Sequence, residues 1–433
     1  MIKDSFSKLA IFGGKKVINY NFKTHSTIGR EEEKAVSRVM KSKILSNFLA
    51  GWSKNFYGGK KVLELEKKFA KFFKVKYAVA VNSWTSGLII AVGSLDVEPG
   101  DEIITTPFTM CATATAILHW NCIPIFADID NKTFNLDPIS VESKINKRTK
   151  AILLVDIFGH PIDINPFKKI ARKYNIKLII DAAQSIGAKY LDTNKFAGTV
   201  GDIGGYSLNY HKHIYCGEGG ITVTNNKQIA QRLYLIRNHG EGVTREINLK
   251  KINNIVGYNF RMTEIESAIA IEQLKKLPKI LKKIRFLANR LTAGLKDLKG
   301  LQVPHVKSNC THSYYNYGLN LDLKKINIKR SVIIRALRAE GLNCGEAYTN
   351  IHLLPIYKKK IAFGSKGYPW KLSKRNKKII YKKGLCPNAE KLHEKTFFYF
   401  PICNYQLTNK DIDLVIKTFK KVWVNLKFLK KIK

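Results

Sequence analysis

Three consecutive stretches decide the fold: Ala151-Ile152-Leu153-Leu154-Val155, then Pro166 to Tyr174, then Lys177-Leu178-Ile179-Ile180-Asp181. The first is a continuously apolar run and the third has an unbroken apolar centre, Leu178 to Ile180, as expected of strands covered on both faces. The middle stretch reads as a helix, and a strand, a helix and another such strand imply parallel neighbours joined by a crossover. The first strand is expected over Ala151 to Ile157 and the second over Lys177 to Ile180. Working outward, the alternation recurs from Lys76 to about Asn225. Tyr77 to Val81, Glu102 to Thr105 and Pro124 to Ala127 read as strands, and Thr85 to Leu95 and Cys111 to Trp120 as helices. The pattern predicts a doubly wound α/β domain with a mostly parallel sheet, whose ligand lies beyond the carboxyl ends of the strands.

After this region the signal turns helical. Thr263 and Glu266 are spaced as a capping box, and Ile265, Ala268 and Ile269 share a face. Pro278 is expected to interrupt the helix before Ile280, Ile284, Leu287, Leu291 and Leu295 continue the stripe. Candidate elements then mix, with a strand over Tyr314 to Leu321 and helices over Arg330 to Glu340 and Ile412 to Leu426. The expected organisation is an N-terminal segment, 1–40, packing on the smaller domain. A large α/β domain, 41–275, and a connector helix with a smaller C-terminal domain, 276–433, follow.

The 433 residues suffice for two or three domains, and 45% apolar and 11% aromatic residues exclude a disordered chain. No apolar run approaches the roughly 18 residues of a membrane span, and the first residues lack the pattern of an export signal. A cytoplasmic protein with free thiols is expected, since the seven cysteines show no C-x-x-C pair. The 75 Lys and Arg against 33 Asp and Glu give a formal charge of +42. Most are lysines spread along the chain, whereas specific phosphate and base reading relies on arginine. The excess is read chiefly as surface composition, with a share that steers anionic substrates.

The richest motif is Ser207-Leu208-Asn209-Tyr210-His211-Lys212-His213-Ile214-Tyr215-Cys216-Gly217-Glu218-Gly219-Gly220, preceded by Asp181-Ala182-Ala183-Gln184. A hydroxyl residue at a strand end, a lysine five residues on and a glycine-rich turn form the pattern. With Ala78 to Ser83, Pro99-Gly100-Asp101-Glu102, Asn238-His239-Gly240 and Gly257 to Met262, the chain resembles the DegT-type (DegT/DnrJ/StrS) nucleotide-sugar aminotransferases. These are fold type I enzymes dependent on pyridoxal 5'-phosphate. The resemblance runs from near Gly29 and Glu32 to about His352 to Tyr357.

The resemblance implies a set of site residues, each with a chemical reason. An aldehyde cofactor needs an amine that condenses with it and shuttles protons, and Lys212 is assigned this role. The cofactor acts as an electron sink while its ring nitrogen stays protonated beside a carboxylate, assigned to Asp181 at the end of its strand. Gln184 matches the position beside the ring hydroxyl. Thr85, Ser86 and Ser207 are expected on the cofactor phosphate, where a helix start favours an anion.

Two departures stand out. The family usually reads Ser-Gly-Thr-Ala-Ala where this chain has Ser83-Trp84-Thr85-Ser86-Gly87. Met110 stands where an aromatic ring commonly stacks on the cofactor, with Phe108 as a substitute if the backbone shifts. Asn259 is expected to reach the cofactor phosphate of a second subunit, which implies a homodimer with a shared active site. His211, Arg261 and His352 are candidate substrate contacts. His211 and His213 flank the lysine like a metal pair, but no third ligand is apparent and no metal is assigned.

The expected activity is transfer of an amino group from L-glutamate to a ketosugar, nucleotide-linked, for aminosugar and surface polysaccharide or lipopolysaccharide synthesis. A related sugar dehydratase, which commonly has His at the lysine position, and a cyclitol (inosose) aminotransferase are the enzymatic alternatives. From another class, a basic nucleic-acid-binding regulator would account for the charge, but no nucleic-acid-binding signature is present.

Overall fold

The computed structural model describes residues 8–249, 251–346 and 348–432. Seven strands form the large sheet: β1 (Tyr77–Val81), β2 (Glu102–Thr105), β3 (Ile123–Phe126), β4 (Thr149–Val155), β5 (Lys177–Asp181), β6 (Ile203–Ser207) and β7 (Gly220–Thr224). Their order is β1-β7-β6-β5-β4-β2-β3, and β7 runs antiparallel to both neighbours while the other pairs are parallel. The mostly parallel doubly wound sheet of the sequence reading is therefore present.

Side chains of each strand alternate between two cores. Ala151, Leu153 and Val155 of β4 join the core under the helices Trp84–Gly93, Ala112–His119 and Lys227–Arg237. Ile152 and Leu154 face the other way, toward the helices Lys60–Phe73 and Ile164–Tyr174. β4 stops at Val155, two residues before the expected end. The chain turns over Ile157–Gly159 with Phe158 at φ 55°, a left-handed conformation a strand cannot contain.

The capping box forms as expected: the Thr263 hydroxyl accepts from the Glu266 N–H at 3.3 Å, and Glu266 accepts from the Thr263 N–H at 2.9 Å. Pro278 does not interrupt the helix, which runs from Glu264 to Leu295 and passes residues 275 and 276 unbroken. Packing on both sides of the proline outweighs its cost of about 3 kcal/mol. Leu274, Leu277 and Leu281 bury in the large-sheet core, and Ile284, Leu287, Leu291 and Leu295 in a second core beyond it.

That second core lies around β8 (Leu301–Gln302), β9 (Tyr317–Leu321), β10 (Gly345–Glu346) and β11 (Phe397–Phe400), ordered β10-β11-β9-β8. β9 starts three residues later than predicted because Tyr314 adopts φ 54°. Leu9 and Ile18 join this core, and the Glu340 carboxylate accepts from the Ala10 and Val17 N–H groups while pairing with Lys421. The stretch from Ile351 to Leu392 packs instead against the large sheet, where the Tyr381 hydroxyl donates to the Pro124 carbonyl at 2.8 Å.

A buried ion pair joins the helices Lys60–Phe73 and Lys227–Arg237, which belong to the two different cores of the large sheet. Arg237, with 0% exposure, donates to Glu66 at 2.5 Å, and the same Glu66 oxygen accepts from the Ala80 N–H. Removing one partner strands the other charge in the core. Glu66→Ala is expected to cost about 3–5 kcal/mol of stability, read as a lower midpoint in chemical denaturation.

Candidate active site

β7 reverses direction, so its first residue lies at the same sheet edge as the last residues of β1, β5 and β6. Gly220 pairs with Val81 on one side and Ser207 on the other, and Asp181 pairs with Gly205. A Cβ at Gly220 would lie 2.7 Å from the Trp84 backbone nitrogen, so the start of the helix Trp84–Gly93 sits directly on this junction. The topology thus brings Ser207, Asp181 and the segment Ser83 to Ser86 to one edge.

Ser83 caps that helix: its hydroxyl accepts from the Ser86 N–H at 3.1 Å. The Ser86 hydroxyl donates to the side-chain Oδ1 of Asn82 at 2.7 Å. The Thr85 hydroxyl has no hydrogen-bond partner among the described residues, and the first-turn N–H groups of Trp84 and Thr85 have no helical acceptor. Free donors at a helix start, beside the Ser207 hydroxyl, suit a phosphate.

Asp181 is 5% exposed. Burial pushes its carboxyl up, while donors from Trp84, the Ala183 N–H and Thr113, with the nearby Lys212 charge, favour the ionised form. The Trp84 indole N–H donates to Oδ1 at 2.7 Å, the Ala183 N–H to Oδ1 at 3.2 Å and the Thr113 hydroxyl to Oδ2 at 3.0 Å. Lys212 stands in the turn after β6, 7% exposed, with its backbone N–H bonded to the Asn209 carbonyl. Its Nζ lies 4.3 Å from the centroid of the Tyr315 ring and has no hydrogen-bond or ion-pair partner among the described residues. Burial lowers it to about 8 against the opposing pull of Asp181. A buried unpaired amine coupled to a buried carboxylate, beside free phosphate donors, fits the demands of pyridoxal phosphate.

Gln184 is fixed at both ends. Its Oε1 accepts from the Phe158 N–H at 2.7 Å and its Nε2 donates to the Tyr348 hydroxyl at 2.9 Å, leaving one amide hydrogen. Met110 is 54% exposed just ahead of the helix Ala112–His119, so it is no part of the core. Phe108 cannot replace it over a ligand, because its ring is enclosed against Phe397 and Phe158. His211 is partly buried near Tyr315 and lowered by burial to about 4. His213 turns into the interior, where its Nε2 meets the Ser313 carbonyl at 2.8 Å. Asn259 is exposed, and the Arg261 Nε donates to Asn238 at 2.8 Å.

His352 is a correction. It has 0% exposure and its Nε2 is 2.9 Å from Glu390, whose carboxylate also accepts from the Gly384 and Cys386 N–H groups. A ring locked in that core pair is closed to substrate. The sequence reading also missed Thr113, Tyr315 and Tyr348, whose partners lie 68, 103 and 164 residues away, too far for any spacing to reveal.

The sequence profile of the DegT/DnrJ/EryC1/StrS aminotransferase family matches residues 28–420. The chain belongs to this family. DegT-family enzymes of this kind depend on pyridoxal phosphate, and the chain is an aminotransferase of that class with the fold type I architecture. It is 31% identical to the spore coat polysaccharide biosynthesis protein SpsC of Bacillus subtilis over 79% of this chain and 86% of that protein. It is 33% identical to the GDP-perosamine synthase of Caulobacter vibrioides over 69% and 79% of the two chains. The structure of Escherichia coli GDP-4-keto-6-deoxy-D-mannose-3-dehydratase with bound hydrated pyridoxal phosphate superposes with a TM-score of 0.73. That match covers 92% of this chain and 99% of the dehydratase at 27% identity. No helix among the described residues is long and apolar enough to cross a membrane.

Only the neutral amine attacks an aldehyde, so the rate at which the apoenzyme takes up pyridoxal phosphate should rise through about pH 8, well below the usual lysine range. The Asp181 charge raises the Lys212 pKa, so Asp181→Asn should move that midpoint lower. Stopped-flow absorbance across pH 6.5 to 9.5 checks both directions, on the order of one pH unit or less for the second.

Proposed function

We propose that the chain transfers the amino group of L-glutamate to the ketone of a nucleotide-linked sugar, with Lys212 as the proton carrier and Asp181 as the partner of the cofactor's ring nitrogen. The observation that carries this reading is the buried, unpaired Lys212 amine coupled to the buried Asp181 carboxylate at one sheet edge. Bound pyridoxal phosphate supplies the electron sink that stabilises negative charge at the carbon losing its proton. Lys212 moves that proton, and a value of about 8 suits both accepting and returning it near neutral pH. Asp181 keeps the ring nitrogen cationic. Thr85 and Ser207 hold the phosphate together with the open N–H groups of the helix start, and Ser86 joins them by turning its hydroxyl away from Asn82. Gln184 offers its remaining amide hydrogen at the ring hydroxyl, and Met110 covers the ring face through its exposed thioether.

Asn259, exposed and close in sequence to the stacked rings of Tyr258 and Phe260, reaches the phosphate site of a second copy, so the working unit is a homodimer. His211 and Arg261 contact substrate. His211, lowered to about 4, acts as a neutral hydrogen-bonding group toward the sugar, and Arg261 meets the diphosphate or the glutamate carboxylate. The product is an aminosugar for a surface polysaccharide, a reading supported by likeness to SpsC and to a GDP-perosamine synthase.

Dehydration of a ketosugar is the second reading, favoured by the likeness to the E. coli dehydratase. Lys212, where dehydratases of the family commonly carry His, speaks for transamination. A panel of nucleotide ketosugars incubated with glutamate and scored by product mass separates the two, because a transaminase product gains an amine and a dehydratase product loses a hydroxyl. Lys212→Ala is expected to lower turnover at least about 1,000-fold while the protein stays folded. Full turnover in that variant would reject the assignment.

A further inference from the structure

The geometry points to Trp84 as the residue that aims the Asp181 carboxylate, filling Oδ1 so that its one open acceptor position, on Oδ2, faces the cofactor's ring nitrogen. This rests on the assignment of Asp181 to that nitrogen. The indole is 6% exposed and lies in a slot made by positions that carry no side chain. A Cβ at Gly87, one turn along the same helix, would lie 2.5 Å from Trp84 Cε3, and one at Gly205 would lie 2.2 Å from Cζ3. Gly205 is the sheet partner of Asp181, so the slot leads the indole N–H to the carboxylate, 2.7 Å from Oδ1. Trp84 and Gly87, both departures from the family's Ser-Gly-Thr-Ala-Ala segment, are therefore one device: the large side chain at the first position needs the missing one at the second.

An ionised carboxylate offers about four acceptor positions, two on each oxygen. Trp84 and the Ala183 N–H take both on Oδ1, and Thr113 takes one on Oδ2. An indole and a backbone amide can only donate, so Oδ1 cannot itself carry a proton. Any proton shared with a ring nitrogen must lie on the Oδ2 side. Donation to the charged form also opposes the burial that pushes this carboxyl toward neutrality. Trp84 acts through Asp181, which makes it a positioning residue.

The test compares pyridoxal phosphate affinity of the apoenzyme, by equilibrium titration, in Trp84→Phe and Asp181→Asn and in the double variant. Phenylalanine keeps an aromatic ring in the slot and removes the N–H. Loss of a bond to a charged acceptor should weaken binding by about tenfold or more and reduce the visible circular dichroism of the bound cofactor. In the Asp181→Asn background the same change should cost less than about twofold, since the group being aimed is gone. An equal loss in both backgrounds, or wild-type affinity and dichroism in Trp84→Phe, would overturn the proposal. Unchanged affinity and dichroism in Asp181→Asn alone would instead reject the role of Asp181. Should Trp84→Phe fail to fold, benzothienylalanine at position 84 replaces the N–H with sulfur at nearly constant shape and is read by the same criteria.

Discussion

A carboxylate buried where there is almost no water is the constraint around which the rest of this site is arranged. Asp181 ends a strand buried on both faces, where burial pushes its carboxyl up toward the neutral form. Three donors from three separate elements oppose that push: the indole of Trp84, the hydroxyl of Thr113 and the backbone of Ala183. The amine of Lys212 stands in the same field and is shifted the opposite way, down to about 8. An amine held at about 8 keeps a neutral fraction near neutral pH that an ordinary lysine lacks.

Much of the scaffold is legible in the sequence because its signals are local. Runs such as Ile152 to Val155 and Leu178 to Ile180 have the length and composition of covered strands, and the Thr263–Glu266 cap announces its helix three residues ahead. The errors are equally physical. Pro278 costs one helical hydrogen bond, a local loss, whereas the leucines that hold the helix straight through it bury against partners distant in sequence. The early end of β4 and the late start of β9 come from Phe158 and Tyr314, bulky residues in left-handed conformations that their surroundings impose.

The site divides along the same line. Lys212, Asp181 and Ser207 are legible as candidates from motif and strand position, and the fold brings the ends of their strands to one edge. The groups that tune them are not found that way. Trp84 reaches a partner 97 residues on, and Tyr315 and Tyr348 arrive from beyond the connector helix. His352 shows the converse: a motif-based position whose imidazole the fold has enclosed with Glu390.

The reversal of β7 carries one more consequence. The twelve residues between Ser207 and Gly220 leave the sheet and return to adjacent rungs of it, so both ends of the excursion are clamped a single strand spacing apart. Such a tether removes most of the wandering a loop of that length would otherwise have. The Lys212 it bears is therefore held in a near-fixed attitude, and the ordering that an encounter at its amine would demand is already met during folding.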